Sequence, residues 1–495
     1  IEDLISEKIM FVDEHHKFIE KWNKAMEDMY GEKPELFKVV SSDQSGAFVR
    51  FSVHVIGEVE SRLWRDNTVQ ESFFRFYNEK LNDCDLCYVT GESLPFADKH
   101  ASRIRHSADK TKLISANDTS GFTFRGRFLS SRDAASISYD VSQKAHNALK
   151  WLIAKQGYSI DGKVFLVWGT QEQQLPDPLS DSYSIYGIYG EAHEVTGDLT
   201  HKHFANQIKL AIAGYKHDMD YRSKVMIMVL DAATPGRMSV VYYRELEQEV
   251  FLNRLQHWHL TCYWLHRHKN HTDNSYFLFM GAPATKDIAF AAYGPRVSDK
   301  IVKGLFERML PSIIDGRPVP LDIVRNATNR ASNPVGMETW EWEKTLSITC
   351  ALVRKTYEKE GFDVALDVNN TDRDYLFGRM LAIADVLERR ALGKDEKRAT
   401  NAIRYMNAFA QRPGRTWMII QSNLQPYQAR MGMDARYYNQ LLDEVGAQLN
   451  PADYTDKSLS GLYLLGFYSQ RQELYTSKKV KETEEILENN EQGAM

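Results

Sequence analysis

The sequence predicts an α+β protein in which a mixed N-terminal and central α/β portion is followed by an all-helical C-terminal bundle. Three observations predict this class. The chain has 495 residues, 43% hydrophobic and 26% charged, which is typical of a folded protein. Helical and strand-like segments alternate up to about residue 340. Beyond that point only helical periodicity remains.

The first predicted portion, residues 1–160, begins with helical patterns up to residue 40. GAFVRFSVHV (46–55) has the aromatic and β-branched content of a strand, and residues 67–81 return to helix. The best-marked helix covers residues 142–158, with Ser142 as its N-cap and Gly157 as its end. Its predicted buried stripe consists of Ala145, Leu149, Leu152 and Ile153.

The central portion, residues 161–340, is predicted to contain a helix, two strands and a second helix in succession. The buried strand VFLVW (164–168) precedes them. The four elements are a helix at 201–215 with Phe204, Ile208 and Ile212 on one face, strands at 224–230 and 238–245, and a helix at about 246–260.

The last portion, residues 341–495, is predicted to be a small helical bundle. Two of its helices have apolar residues at helical spacing. These residues are Leu376, Met380, Ile383 and Leu387 in one helix, and Tyr438, Leu441, Leu442 and Val445 in the other.

Charge and cysteine content exclude several classes of protein. With 62 Lys+Arg against 67 Asp+Glu, the net charge of -5 excludes a histone-like or acidic disordered chain. Because no run of about 18 apolar residues occurs, no membrane partner is expected. Four cysteines are too few for a disulfide framework, which favours a cytoplasmic location.

Candidate metal ligands occur in three places, each with a simpler explanation. Cys84, Cys87, His100 and His106 have zinc-finger spacing, but Pro95 and a weak helix signal argue against zinc. His257, His259, His266, His268 and His271 are interpreted as a partly buried helix with solvated imidazoles. His217-Asp218 resembles a phosphohydrolase dipeptide, and is interpreted as a chance pair at a helix end.

The sequence contains no recognisable catalytic motif. The motifs GxxxxGK[ST], GxGxxG and GxSxG are absent, so the sequence predicts a protein without enzymatic activity and without a cofactor. Two alternatives remain open. One is a metal-dependent nuclease or phosphohydrolase built on the histidines, and the other is a zinc-stabilised adaptor that does not contact DNA.

Basic residues concentrate in two segments. Residues 100–155 hold ten Lys+Arg and four acidic residues, which suggests a surface that faces phosphates. Within it, FTFRGRF would place Phe122, Phe124 and Phe128 on one face of a strand, and Arg125 and Arg127 on the other.

The second basic segment, residues 373–436, has twelve Lys+Arg against six Asp+Glu. Arg404, Arg412 and Arg415 lie there near Trp417, around a Pro-Gly break. Basic helices with interleaved aromatics suit a single strand, whose phosphates meet arginine and whose bases stack.

Four segments resemble one protein family. CYVTGESLPFADKH, KLISANDTSGFTFRGRF, SQKAHNALKWLIAKQGY and DRDYLFGRMLAIADVLERRALG are similar, in this order, to the large subunit of the type I-C CRISPR surveillance complex, Cascade. Members of that family begin with an additional N-terminal module, so the chain is expected to lack this part.

The resemblance implies a non-catalytic subunit in antiviral defence. It would bind the 5′ end of the crRNA, recognise the protospacer-adjacent motif in target double-stranded DNA, help open the duplex and bind the displaced single strand. The implied protein partners are the backbone and crRNA-processing subunits, a small helical subunit and a helicase-nuclease.

The resemblance also implies which residues lie near nucleic acid. Asn117, Arg125 and Arg127 are expected nearest to it, with Lys110, Lys112, Lys144 and Lys150 as phosphate contacts. It further implies that the helical end is made separately from an internal start, for which Val364 and Met380 are the candidates.

Overall fold

A computed structural model of the chain describes most residues. The described residues are 5–7, 10–19, 21–39, 50–57, 60–81, 83–115, 128, 130–171, 175–189, 201–217, 223–234, 236–269, 276–393 and 396–476. The fold is α+β, as predicted, with short antiparallel sheets and a helical C-terminal region. Within these ranges no helix has the length and apolar content needed to cross a bilayer.

The chain is organised as two compact units. The first contains Ile1–Lys99 and Ala116–Ser142, and the second contains His100–Ser115 and Gln143–Met495. Our division at residues 160 and 340 stays a prediction.

The first unit consists of short elements. They are α1 (Lys24–Tyr30), α2 (Leu36–Val39), α3 (Asn67–Lys80), β1 (Cys84–Leu86), β2 (Ser93–Pro95) and α4 (Ser131–Ala134). The Asp66 side chain caps α3 by accepting the Thr68 N–H at 2.8 Å. The strand expected at 46–55 is not formed in its described part, where only Ser52 makes an isolated bridge, to Arg62.

A four-stranded antiparallel sheet organises the N-terminal half of the second unit. Its order is β3-β4-β5-β6. The strands are β3 (Tyr158–Ile160), β4 (Lys163–Gly169), β5 (Lys224–Thr234) and β6 (Arg237–Glu247). Most buried positions of β4 and β5 are Val, Ile, Leu or Phe, which is the pattern that predicted these strands.

Helix α5 (Tyr139–Gln156) packs on this sheet. It begins before Ser142, so the predicted cap lies inside the helix. Ala145 is exposed and His146 is buried in the first turns, whereas Ile153 is buried as predicted. The apolar side of the helix is therefore narrower than the sequence suggested.

Further helices complete this half. They are α6 (Ser182–Tyr189), α7 (His201–His217), α8 (Gln248–Thr261), α9 (Thr285–Tyr293), α10 (Asp299–Ile314) and α11 (Leu321–Ala331). Phe204, Ile208 and Ile212 of α7 are buried, as predicted.

The histidine-rich segment is not one helix. Helix α8 ends at Thr261, and a hairpin of β7 (Trp264–Lys269) and β8 (Tyr276–Gly281) follows. Trp264 and Leu265, two consecutive residues of β7, are both buried, so both faces of the strand are covered at this point.

The C-terminal region contains helices and connecting loops, and no strand, in its described part. Its helices are α12 (Thr339–Thr356), α13 (Arg373–Leu392), α14 (Asn401–Gln411), α15 (Pro413–Met431), α16 (Ala435–Gln448) and α17, which covers residues 462–476. Leu376, Met380, Ile383 and Leu387 are buried as the pattern predicted. Asp372 caps α13 by accepting the Tyr375 N–H at 2.9 Å.

Helices α13 and α17 touch at backbone distance. A Cβ placed on Gly378 would lie 1.9 Å from the Tyr463 carbonyl oxygen, and one placed on Gly466 would lie 2.1 Å from the Tyr375 carbonyl oxygen. Only glycine permits this approach from both sides. The contact belongs to a single core that runs from Phe165 to Leu474.

Candidate nucleic-acid interface

Residues 100–115 and helix α5 together cover one face of the four-stranded sheet. Ile104, which lies in residues 100–115, is buried in one apolar cluster with Ile153 of α5 and with Val164 and Leu166 of β4. Leu113 packs against the same cluster. The sheet thus brings two segments of the predicted basic surface into one layer.

An internal ion pair shapes the loop. Arg105 Nε lies 3.0 Å from Asp109 Oδ2, and the Thr111 hydroxyl donates to Asp109 Oδ1 at 2.6 Å. Burial alone would raise the pKa of Asp109, but the bonds from Arg105 and Thr111 lower it below the usual range. Because this pair is enclosed, Arg105 stabilises the loop and does not present its charge to a ligand.

Lys110 and Lys112, which follow this ion pair, differ in how far their side chains are exposed. Lys110 is exposed and makes no hydrogen bond or ion pair with any residue that the structure describes. The Lys112 main chain pairs with β6, since its N–H donates to the Gly236 carbonyl at 3.1 Å and its carbonyl accepts the Met238 N–H at 2.9 Å. The Lys112 side chain is half-buried.

The loop meets α5 at two buried imidazoles. The ring centroids of His100 and His146 are 6.0 Å apart. Burial lowers the pKa of His100, and its electrostatic interactions with His146 and Lys112 lower it further. Lys112 therefore lies close enough to this pair for its charge to act on His100.

Helix α5 contributes the remaining lysines. Lys144 is exposed and Lys150 is half-buried. We call Lys110, Lys112, Lys144 and Lys150 the loop–helix surface. Sequence reasoning missed Trp151, whose side chain is 57% exposed on the same helix, with the Lys155 ammonium 4.6 Å from its ring centroid. The signal was available, because Lys144, Trp151 and Lys155 recur at helical spacing.

Three predicted site residues, Asn117, Arg125 and Arg127, lie outside the described residues, as do Phe122 and Phe124. Their proximity to nucleic acid stays a prediction.

The predicted site in the C-terminal region keeps its three exposed arginines but loses its aromatic residue. Arg404 and Arg412 are exposed, and Arg415 pairs with Asp456 at 2.9 Å while remaining 74% exposed. Trp417 is buried against Phe409, so it cannot stack on a base.

Many of the basic side chains in residues 373–436 form hydrogen bonds or ion pairs within the protein. Five arginines there bond to other parts of the second unit. Arg373 and Arg389 donate to backbone carbonyls, Arg379 to Gln470, Arg390 to the Leu474 carbonyl, and Arg398 to Glu388.

The candidate metal ligands have other roles where they are described. Burial would raise the pKa of the Cys87 thiol, but N–H groups of Ser138, Thr90 and Val89 lower it to about 6. Cys84 is exposed. No group of three or more His, Cys, Asp or Glu side chains within the described ranges could hold a metal ion.

Of the clustered histidines, His259 is fully buried and His266 is half-buried, so neither is a solvated imidazole. His259 Nδ1 lies 2.7 Å from Ser182 Oγ, and His266 Nδ1 lies 3.0 Å from Ser347 Oγ. Burial lowers the pKa of each to about 4. His257 is exposed, 3.0 Å from Glu358, and His217-Asp218, His268 and His271 have no described side chains.

The described arrangement offers ammonium groups to phosphates and an exposed indole. A family model described as CRISPR-associated protein (Cas_Csd1) matches residues 11–475. No curated protein matches the chain significantly.

Proposed function

The chain belongs to the CRISPR-associated protein family Cas_Csd1, as its resemblance to the type I-C large subunit predicted, and from this we propose its role. Membership indicates a subunit of a CRISPR effector complex, Cascade. We propose that the chain is the non-catalytic large subunit of a type I-C complex. The observation that carries the proposal is the family match over nearly the whole chain.

In this role the chain recognises the protospacer-adjacent motif, helps open the duplex, and binds the crRNA 5′ end and the displaced strand. It assembles with the backbone, crRNA-processing and small helical subunits, and recruits the helicase-nuclease. The loop–helix surface supports the nucleic-acid part, because Lys110 and Lys144 are exposed and lysine ammonium groups bind phosphates.

The test is assembly followed by binding. The chain should join the backbone and processing subunits on crRNA, and the complex should bind a duplex carrying the adjacent motif. In the double variant Lys110→Glu with Lys144→Glu, duplex affinity should fall. If both lysines contact phosphates, the slope of log affinity against log salt should become shallower by about 1.8 units, about 0.9 for each contact.

The matched control is Lys359→Glu, an exposed lysine between Glu358 and Glu360. It should change neither affinity nor slope. A chain that does not enter the complex would contradict the proposed role. Unchanged duplex binding by the double variant would show that the loop–helix surface is not part of the DNA interface. The proposed role as large subunit would still stand.

Charge reversal at Arg125 and Arg127 tests the remaining predicted contacts. With both changed to Glu, we expect weaker duplex binding and a shallower salt slope. Unchanged values in a folded double variant would remove this pair from the interface.

A further inference from the structure

One side of helix α5 is exposed along its length. Lys144, Ala148, Trp151 and Lys155 follow one another at intervals of four, three and four residues, so they lie on one side of the helix. All four side chains are exposed, whereas Ile153 on the other side is buried against the sheet. This side therefore has no role in the apolar cluster beneath the helix.

Trp151 is the unusual residue on this side. A tryptophan normally buries most of its large apolar surface, but 57% of Trp151 is exposed. The Lys155 ammonium lies 4.6 Å from its ring centroid, which is a cation–π contact. Ala148, one turn earlier, is too small to cover the indole. The ring is thus held by a cation while more than half of it stays accessible.

We propose, on the basis of the proposed nucleic-acid function, that α5 binds an unpaired nucleotide whose base stacks on Trp151. The phosphates on either side of that base contact Lys144 and Lys155. Along the helix these lysines lie about 10 Å and about 6 Å from Trp151, at 1.5 Å per residue.

The charges on this side favour a nucleic acid over an apolar protein segment. Two lysines flank the indole and no acidic residue lies between them. The carboxylate of Asp140 occupies the same side one turn before Lys144, and would repel a phosphate there. The bound strand therefore extends from Lys144 toward Lys155 and beyond.

Single-stranded nucleic acid is the form that fits. In a duplex both faces of each base are occupied by its neighbours, whereas an unpaired base can offer a face to an aromatic ring. The displaced DNA strand and the crRNA share this chemistry, so the binding test uses both sugars.

The test compares three variants of the full chain: Trp151→Ala, Trp151→Phe and Trp340→Ala. Trp340 is the matched control, since it is 56% exposed and lies between Glu338 and Glu341. The probes are fluorescein-labelled dT and rU oligonucleotides, measured by anisotropy. Trp151→Ala should weaken binding about 5- to 150-fold, the effect of losing one stacked base. Trp151→Phe should keep most of the affinity, and Trp340→Ala should keep all of it.

Salt dependence separates stacking from charge. Trp151→Ala should leave the salt slope unchanged, because it removes no phosphate contact. Lys144→Gln and Lys155→Gln should each make the slope shallower by about 0.7 units. A loss confined to dT would assign the site to DNA, a loss confined to rU would assign it to RNA, and losses on both would support a shared site.

The proposal is overturned if Trp151→Ala binds both probes as the parent does, or if Trp340→Ala weakens them equally. It is also overturned if the parent chain binds neither probe. In each case, a complex that still assembles and binds its target duplex leaves the proposed function standing. Failure of the parent to enter the complex contradicts that function itself.

Discussion

The glycine contact between α13 and α17 should make Gly378→Ala destabilising. The added methyl carbon would lie 1.9 Å from the Tyr463 carbonyl oxygen, whereas real contacts of this kind are at least 3.0 Å long. The helices must therefore separate by about 1 Å, the difference between these two distances. A backbone carbonyl cannot rotate away as the end of a flexible side chain can.

Two opposing effects set the size of the change. Overpacking of a core costs about 1–3 kcal/mol, and the rigid carbonyl favours the upper end of that range. Replacing glycine by alanine inside a helix contributes about 1 kcal/mol in the other direction. We therefore expect Gly378→Ala to lower the free energy of unfolding by about 2 kcal/mol.

The control is Gly304→Ala, in the middle of α10, where a Cβ would meet nothing within 4 Å. This variant should gain up to about 1 kcal/mol from helix propensity alone. Urea unfolding of the full chain, followed by far-UV circular dichroism, measures both. The reasoning is refuted if Gly378→Ala is as stable as Gly304→Ala.

Two further predictions concern the helical end and the histidines His259 and His266. A fragment that begins at Val364 should be helical, melt cooperatively and enter the complex. A fragment that begins at Met380 should be unfolded, because it lacks the first two turns of α13. Circular dichroism and co-purification with the complex test both fragments. Because His259 and His266 have pKa values of about 4 when folded and about 6.5 when unfolded, only the unfolded chain takes up their protons between these values. Stability should consequently fall as the pH drops from 6.5 to 4, by about 3 kcal/mol for each histidine. His259→Asn should flatten this dependence in urea melts at pH 5 and 7, and an unchanged slope would contradict the assignment.

The helices with strong periodicity were predictable from the sequence. Ile383 and Leu387 of α13 and Ile208 of α7 recur at helical spacing, and each is buried. Local pattern was enough to predict these buried residues, although α13 is in fact buried on every side from Tyr375 to Glu388.

Features that depend on distant partners were not predictable. Gly378 inside a helix gives no sign of the carbonyl it contacts 85 residues later, at Tyr463. Trp417 has arginines as sequence neighbours, yet it packs inside the bundle against Phe409. The prediction that Trp417 is available to stack on a base was therefore wrong, because tertiary packing buries its side chain.

In the candidate site, too, composition was predictable from the sequence and the contacts between distant residues were not. The local excess of lysine in residues 100–155 was visible in composition. That Lys110 and Lys144 belong to one layer depends on Ile104 and Ile153, which are buried in one cluster with residues of the sheet. Arg105 and Asp109 are only four residues apart, but their spacing did not show that this ion pair is buried.

The contact of α12 with α17 has a consequence for any shorter product of the same gene. Cys350 Sγ lies 3.6 Å from the Leu464 carbonyl oxygen, and the rings of Trp342 and Phe467 are 6.2 Å apart. A polypeptide starting at Val364 has no α12, so it leaves Phe467 and its neighbours without their cover. Such a molecule would expose an apolar surface as soon as it is synthesised, and would tend to associate with itself until another protein covers that surface.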